Sequence, residues 1–183
     1  MKIDPLRSLE KVDAAIAADG NPRHRAMLEN FREHLLAELE GDADRIMKTQ
    51  VEEPRYQFWG SGIGDFGPKG GAAVRGFYQQ IFEQGYNKLY YEIDRIFCGD
   101  DHLFHDGVLH MVWPGHALRG IGVAVDDPDA QYLYSYRSAA IFKYDAAGSC
   151  TGEDTYSDGS PTLERVRKLA PEELPDALRR AAR

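Results

Sequence analysis

Q-Y-L-Y-S-Y-R-S-A-A-I-F-K-Y-D-A-A-G-S-C-T-G-E-D-T-Y-S-D, residues Gln131 to Asp158, decides the fold. Aromatic residues alternate with small and polar ones through its first half, as on a half-buried strand. Asp145 to Gly148 supplies a turn, and the run ending in Glu153 to Asp158 is a second strand, so the stretch reads as a hairpin. Alternation places Tyr132, Tyr134, Tyr136, Ser138, Ala140, Phe142 and Tyr144 on one face, and Leu133, Ser135, Arg137, Ala139 and Ile141 on the other. In the second strand Gly152, Asp154, Tyr156 and Asp158 oppose Glu153, Thr155 and Ser157.

Two earlier runs, Leu89 to Cys98 and Leu103 to Trp113, have the same period and meet at the tight turn Gly99-Asp100-Asp101. Before them the period is helical. Leu9, Val12 and Ile16 mark one helix, and Asn21-Pro22 supplies a cap and first-turn proline for the next. That helix carries Met27, Leu28, Phe31, Leu35 and Leu39 on one stripe and stops at Gly41. A short third helix holds Ile46 and Met47, and Tyr56 to Trp59 reads as a strand. A Gly-rich loop from Gly60 to Gly71 leads into a helix from about Ala72 to Gln84, which presents Val74, Phe77, Tyr78, Ile81 and Phe82. Gly115 to Asp129 is a long connection whose Leu118, Ile121 and Val123 mark it as a lid or an interface. From Pro161 onward two short helices are expected, with Leu163, Val166 and Leu169, then Leu174 and Leu178. Helices followed by a meander of long antiparallel strands predict an α+β fold, the helices packed on one face of a curved sheet.

The chain of 183 residues suits one domain, 1–183, with a core at about 22–158 and terminal helical decorations. Its formal charge of −8 and lack of a basic stripe argue against nucleic acid as a partner. The start Met1-Lys2-Ile3-Asp4-Pro5 does not read as a leader, and no apolar run approaches the ~20 residues that span a bilayer, so a cytoplasmic, soluble protein without a membrane partner is expected. Cys98 and Cys150 are expected to be reduced packing residues.

The order of elements carries a resemblance. Two N-terminal helices, G-D-A-D-R-I-M-K at Gly41 to Lys48, G-x-x-A-V-R-G-F-Y at Gly70 to Tyr78, and long strands ending in G-E-D-T-Y-S-D are similar to the nuclear transport factor 2-like superfamily. Within it, the chain most resembles SnoaL-like proteins, relatives of polyketide cyclases and ketosteroid isomerases. The resemblance implies a cone-shaped α+β barrel, its bent sheet wrapped around helices and a deep apolar cavity inside. It also implies chemistry without cofactors, by carboxylates, Tyr, His and Arg in that cavity, although one fold hosts many activities.

Candidate site residues follow from the strands. Arg137 lies among small and apolar neighbours and needs an anion. A structural pair with Glu153 or Asp154 satisfies it, and so does a role in orienting a catalytic carboxylate or binding an oxyanion. Asp154 in an apolar cavity would have a raised pKa and act as a base, with Tyr156 donating to an enolate. His102, His105, His110 and His116 cluster in sequence, yet His105 and His110 point to opposite strand faces, so a single acid/base at His105 or His110 is expected and no metal site. The loop Gly62-Ile63-Gly64-Asp65-Phe66-Gly67 matches G-x-G-x-x-G but lacks the parallel βαβ context that a dinucleotide needs. No cofactor is therefore expected. Tyr56, Trp59, Phe77, Tyr78, Tyr91 and Tyr136, with Met111, are the expected wall of a site for a small hydrophobic, aromatic or phenolic molecule.

The function expected is a cofactor-independent isomerase, cyclase, dehydratase or carbon–carbon lyase. The alternative is a non-catalytic ligand-binding or dimerisation module, in which the aromatic strands form a subunit interface. Aromatics on both sheet faces predict a homo-oligomer, a dimer or trimer, in either case.

Overall fold

The computed structural model describes residues 3–60 and 64–174. Helix α1 (Glu10–Ala18) follows a short turn of helix, and α2 (Pro22–Glu40) is the longest helix. Its start is as the sequence predicts, because the Asn21 side chain accepts from the Arg23 N–H and Pro22 occupies the first turn. Gly41 ends it in the left-handed conformation, φ 76°. Asp42 then caps α3 (Ala43–Lys48) by accepting from Arg45 N–H at 3.0 Å.

Strand β1 (Gln57–Trp59), helix α4 (Gly71–Glu83) and strands β2 (Leu89–Cys98) and β3 (His102–Pro114) come next. Helix α5 (Gly115–Gly120) interrupts the connection to β4 (Gln131–Tyr144) and β5 (Cys150–Ser157), and β6 (Val166–Lys168) is last. The sheet order is β1-β5-β4-β3-β2, antiparallel except for the parallel β1–β5 pair. β6 pairs with the start of β4, along the edge that β5 has left.

The sheet is curved and does not close. Its bend has a local cause where Gly107 of β3 faces the β-bulge at Ile93/Arg95 of β2. A Cβ at Gly107 would meet the Glu92 carbonyl oxygen at 2.1 Å, so only glycine lets the strands approach there. The concave face receives α1 and α2. Leu9, Val12, Met27, Leu28, Phe31 and Leu35 pack against Tyr91, Ile93, Leu103 and Phe142, each large apolar side chain contributing about 1.5–3 kcal/mol by leaving water. A second cluster joins α2, α3 and α4 through Ala37, Ile46, Tyr56, Val74 and Tyr78.

Two expectations need correction. The tail after Pro161 is not a helix pair among the described residues, because Val166–Lys168 pair with Tyr132–Tyr134 and leave only short turns of helix on either side. Leu178 lies outside the described residues. The connection from Gly115 to Asp129 is no lid over the main cavity. It folds into its own small core, where Leu118, Val123 and Val125 pack on Tyr132. No helix among the described residues is long and apolar enough to cross a membrane.

Candidate active site

A cavity of about 430 Å³ lies between the concave sheet face and helices α2 and α4. Helical spacing brings one stripe of α2 to it, Phe31, His34, Leu35 and Glu38, at i, i+3, i+4 and i+7. Alternation brings His105, Leu109, Met111 and Trp113 from β3, Tyr134, Tyr136, Ser138, Ala140 and Phe142 from β4, and Glu153, Thr155 and Ser157 from β5. Trp59, Phe66, Phe77 and Tyr78 complete the wall.

Of the expected wall residues, Trp59, Phe77, Tyr78, Tyr91, Tyr136 and Met111 line this cavity. Tyr56 stands behind the wall, fully buried, with its hydroxyl 3.2 Å from that of Tyr78. Among the expected acid/base residues only His105 lines it.

The other four sit elsewhere, and the reason is strand parity. Asp154 and Tyr156 point to the convex face, where Asp154 holds Lys143 at 2.6 Å and Tyr156 is 47% exposed. Arg137 is on the same convex face. It pairs with Asp94, which the bulge of β2 pushes outward, at 2.5 Å and with Asp106 at 3.1 Å, not with Glu153 or Asp154. Asp106 is buried and also takes both arms of Arg95, which hold its carboxyl below the usual range. His110 is a packing residue under the N-terminal segment, stacked on Tyr90 with Ser135 Oγ at 2.8 Å.

Two carboxyls that are not among the expected acid/base residues face this cavity, Glu38 and Glu153. Burial pushes Glu38 up to about 8, and the charge of Glu153 pushes the same way. Burial likewise raises Glu153 to about 7, against a hydrogen bond that its carboxylate accepts from the Thr155 hydroxyl. Both glutamates also weigh on the Tyr136 phenol, whose pKa is raised first by burial.

The hydrogen bonds assign the remaining polar groups. Thr49 Oγ1 donates to the Ile46 carbonyl at 2.7 Å, so it accepts from His34 Nδ1–H at 3.2 Å. His34 Nε2 is then the acceptor for the Tyr78 hydroxyl at 2.9 Å, and Tyr78 in turn accepts from Tyr56, which accepts from the Gln50 amide. His34 therefore has no free proton, and burial drops its pKa to about 4. Tyr91 donates to the Ser138 carbonyl at 3.0 Å and Tyr134 to the Gly159 carbonyl at 2.5 Å. Among the described residues Tyr136 reaches only Met111 Sδ, at 3.8 Å, a weak acceptor. His105 is 3% exposed between Phe31, Tyr91 and Phe142, both ring nitrogens lack a partner among the described residues, and burial lowers its pKa to about 3. The groups left to act on a bound molecule thus include Glu38, Glu153, Tyr136 and the Trp113 indole N–H, which has no partner among the described residues, with a neutral His105 in the floor.

Part of this was readable in advance. Phe31, His34, Leu35 and Glu38 continue the apolar stripe of α2, so polar residues on that stripe were the signal. Phe142 pairs with Glu153 across the hairpin, so once the aromatic face of β4 is inside, Glu153 is inside with it.

Among solved structures, the chain is similar to proteins described as SnoaL-like polyketide cyclases. That of Shewanella putrefaciens CN-32 has 13% identity over 80% of this chain and 87% of its own, with a TM-score of 0.63. That of Jannaschia sp. CCS1 has 18% identity over 76% and 90%, with a TM-score of 0.57. The epoxide hydrolase/cyclase-like enzyme SalBIII, of pyran ring formation in the polyether salinomycin, has 14% identity over 78% and 95%, with a TM-score of 0.54. No protein-family model matches the sequence, and no curated protein matches it either. The chain has the SnoaL-like, nuclear transport factor 2-like cone fold.

Proposed function

We propose that the protein is a cofactor-independent acid/base enzyme acting on a small hydrophobic, aromatic or phenolic molecule in the cone cavity. What carries this reading is the pair Glu38 and Glu153, two carboxyls with pKa values raised to about 8 and 7 in an otherwise apolar chamber. Near neutrality such a pair keeps one proton and readily releases the other, so a general acid and a general base face one chamber. Glu153, oriented by Thr155, takes the proton from a carbon next to a carbonyl. The C–H electron pair becomes the new C=C bond, the carbonyl π pair moves to oxygen, and protonated Glu38 delivers its proton there. Tyr136 donates a hydrogen bond to the developing oxyanion, as its hydroxyl has only the Met111 sulfur to satisfy it among the described residues. The resulting enol can be reprotonated elsewhere, attack a second carbonyl, or expel a leaving group, which are the steps of isomerisation, cyclisation, dehydration and carbon–carbon lysis.

The likeness to cyclase-type structures supports the reaction class by analogy of fold. Self-association belongs to the same proposal, supported by Phe97 and Tyr156, 60% and 47% exposed on the convex face. A cytoplasmic setting is supported by the two cysteines, both free. The test is deuterium exchange at the acidic carbons of 2-tetralone in D2O, followed by NMR. Acceleration by the wild-type protein and its loss in Glu153→Gln support the enzyme reading. No acceleration of this or other enolisable aryl ketones that bind would leave a binding module.

A further inference from the structure

We infer that the cavity admits its ligand uncharged or as a cation and rejects carboxylates, sulfates and phosphates. Among the described residues no lysine or arginine lines the chamber. Among those residues its ionisable groups are two glutamates, two histidines and phenols, so with the histidines neutral its charge is zero or negative. His34 is committed as an acceptor from Tyr78, and His105 is buried among Phe31, Tyr91 and Phe142, where the charged form is disfavoured.

Two cations adjacent to wall residues are engaged elsewhere. Lys143 projects from the opposite face of β4 and holds Asp154 at 2.6 Å. Arg165 lies over the outer part of the Tyr134 ring, its guanidinium 5.9 Å from the ring centroid, and holds Asp158 at 2.6 Å. An anionic ligand would therefore lose its hydration without gaining a cationic partner and would add a like charge to Glu38 and Glu153. The aromatic walls act in the same sense, since ring faces are negative and attract cations.

This inference rests on the cavity being the ligand site, as proposed above, but not on any turnover there. The experiment titrates four probes of one shape into the wild-type protein at pH 7.5, reading quenching of Trp59 and Trp113 fluorescence. They are 2-naphthamide, methyl 2-naphthoate, 2-naphthylmethylammonium and 2-naphthoate. The neutral and cationic probes are expected to bind at least about 10²-fold more tightly than 2-naphthoate, the scale set by burying an unpaired charge. Leu109→Arg, which puts a guanidinium into the wall, is expected to shrink that ratio at least about tenfold by tightening 2-naphthoate. Equal binding of 2-naphthoate and 2-naphthamide to the wild type overturns the inference, and so does failure of all four to bind. If the charge selectivity holds while no proton exchange is catalysed, the enzyme reading fails and this inference survives.

Discussion

Glu38 and Glu153 are ordinary glutamates made unusual by where the backbone puts them. Replacing either by Gln keeps shape and removes the ionisation, so each variant is expected to lose about 10²-fold or more of the proton-exchange rate, measured at saturating probe. Linkage gives a second consequence. Both carboxyls hold protons more tightly when folded, so the stability they confer is complete below about 4.5 and is lost as pH rises through about 7 and 8. His34 and His105 act in the opposite sense. Their pKa values are pushed down to about 4 and 3, so their contribution is present above about 6.5 and is lost as pH falls toward those values. Thermal unfolding is therefore expected to show wild-type stability roughly level from about pH 5 to 6.5, where the two pairs oppose each other, and falling from about pH 6.5 to pH 8. The Glu38→Gln/Glu153→Gln double variant should flatten that fall, and an unchanged slope would mean that the two side chains ionise as they do in water.

Strand parity, an element-scale property, decided which candidates survive. The aromatic alternation of β4 and the turn at Asp145–Gly148 were legible from residue types alone, and so were the caps of α2 and its stop at Gly41. The inward face of β5 was not legible from β5 itself, because neither Glu153, Thr155 and Ser157 nor Asp154 and Tyr156 make an apolar face. Only the register, Phe142 against Glu153 and Ile141 against Asp154, assigns it. Asp154→Asn should thus leave ligand affinity within twofold and cost at most about 1 kcal/mol, since its partner Lys143 is partly exposed. Arg137→Met should behave alike in binding, with a loss of about 1 kcal/mol or less in denaturant unfolding, because Asp106 keeps the two-armed Arg95 contact. A loss of ligand affinity in either variant would return the site to the convex face.

For the whole molecule, the curved sheet packed on helices was legible in the order of elements, whereas the cone and its chamber followed only from the family resemblance, because a void is a property of packing that no local pattern encodes. Its bulk can be tested directly. Leu109→Trp places extra volume against the partly exposed wall and is expected to weaken 2-naphthamide binding at least about tenfold while leaving the melting temperature within a few degrees, the reverse of what overpacking of a closed core would do. The proposed chemistry depends on two glutamates that share this chamber and titrate near neutrality. Carbon-13 NMR of protein labelled at the glutamate carboxyl carbons reports each titration separately. Two resonances should move between about pH 6 and pH 9, one missing in Glu38→Gln and the other in Glu153→Gln, and the resonance that remains in Glu153→Gln should titrate lower than in the wild type as the neighbouring charge is removed. Glutamate resonances that all titrate below pH 5.5 would contradict it.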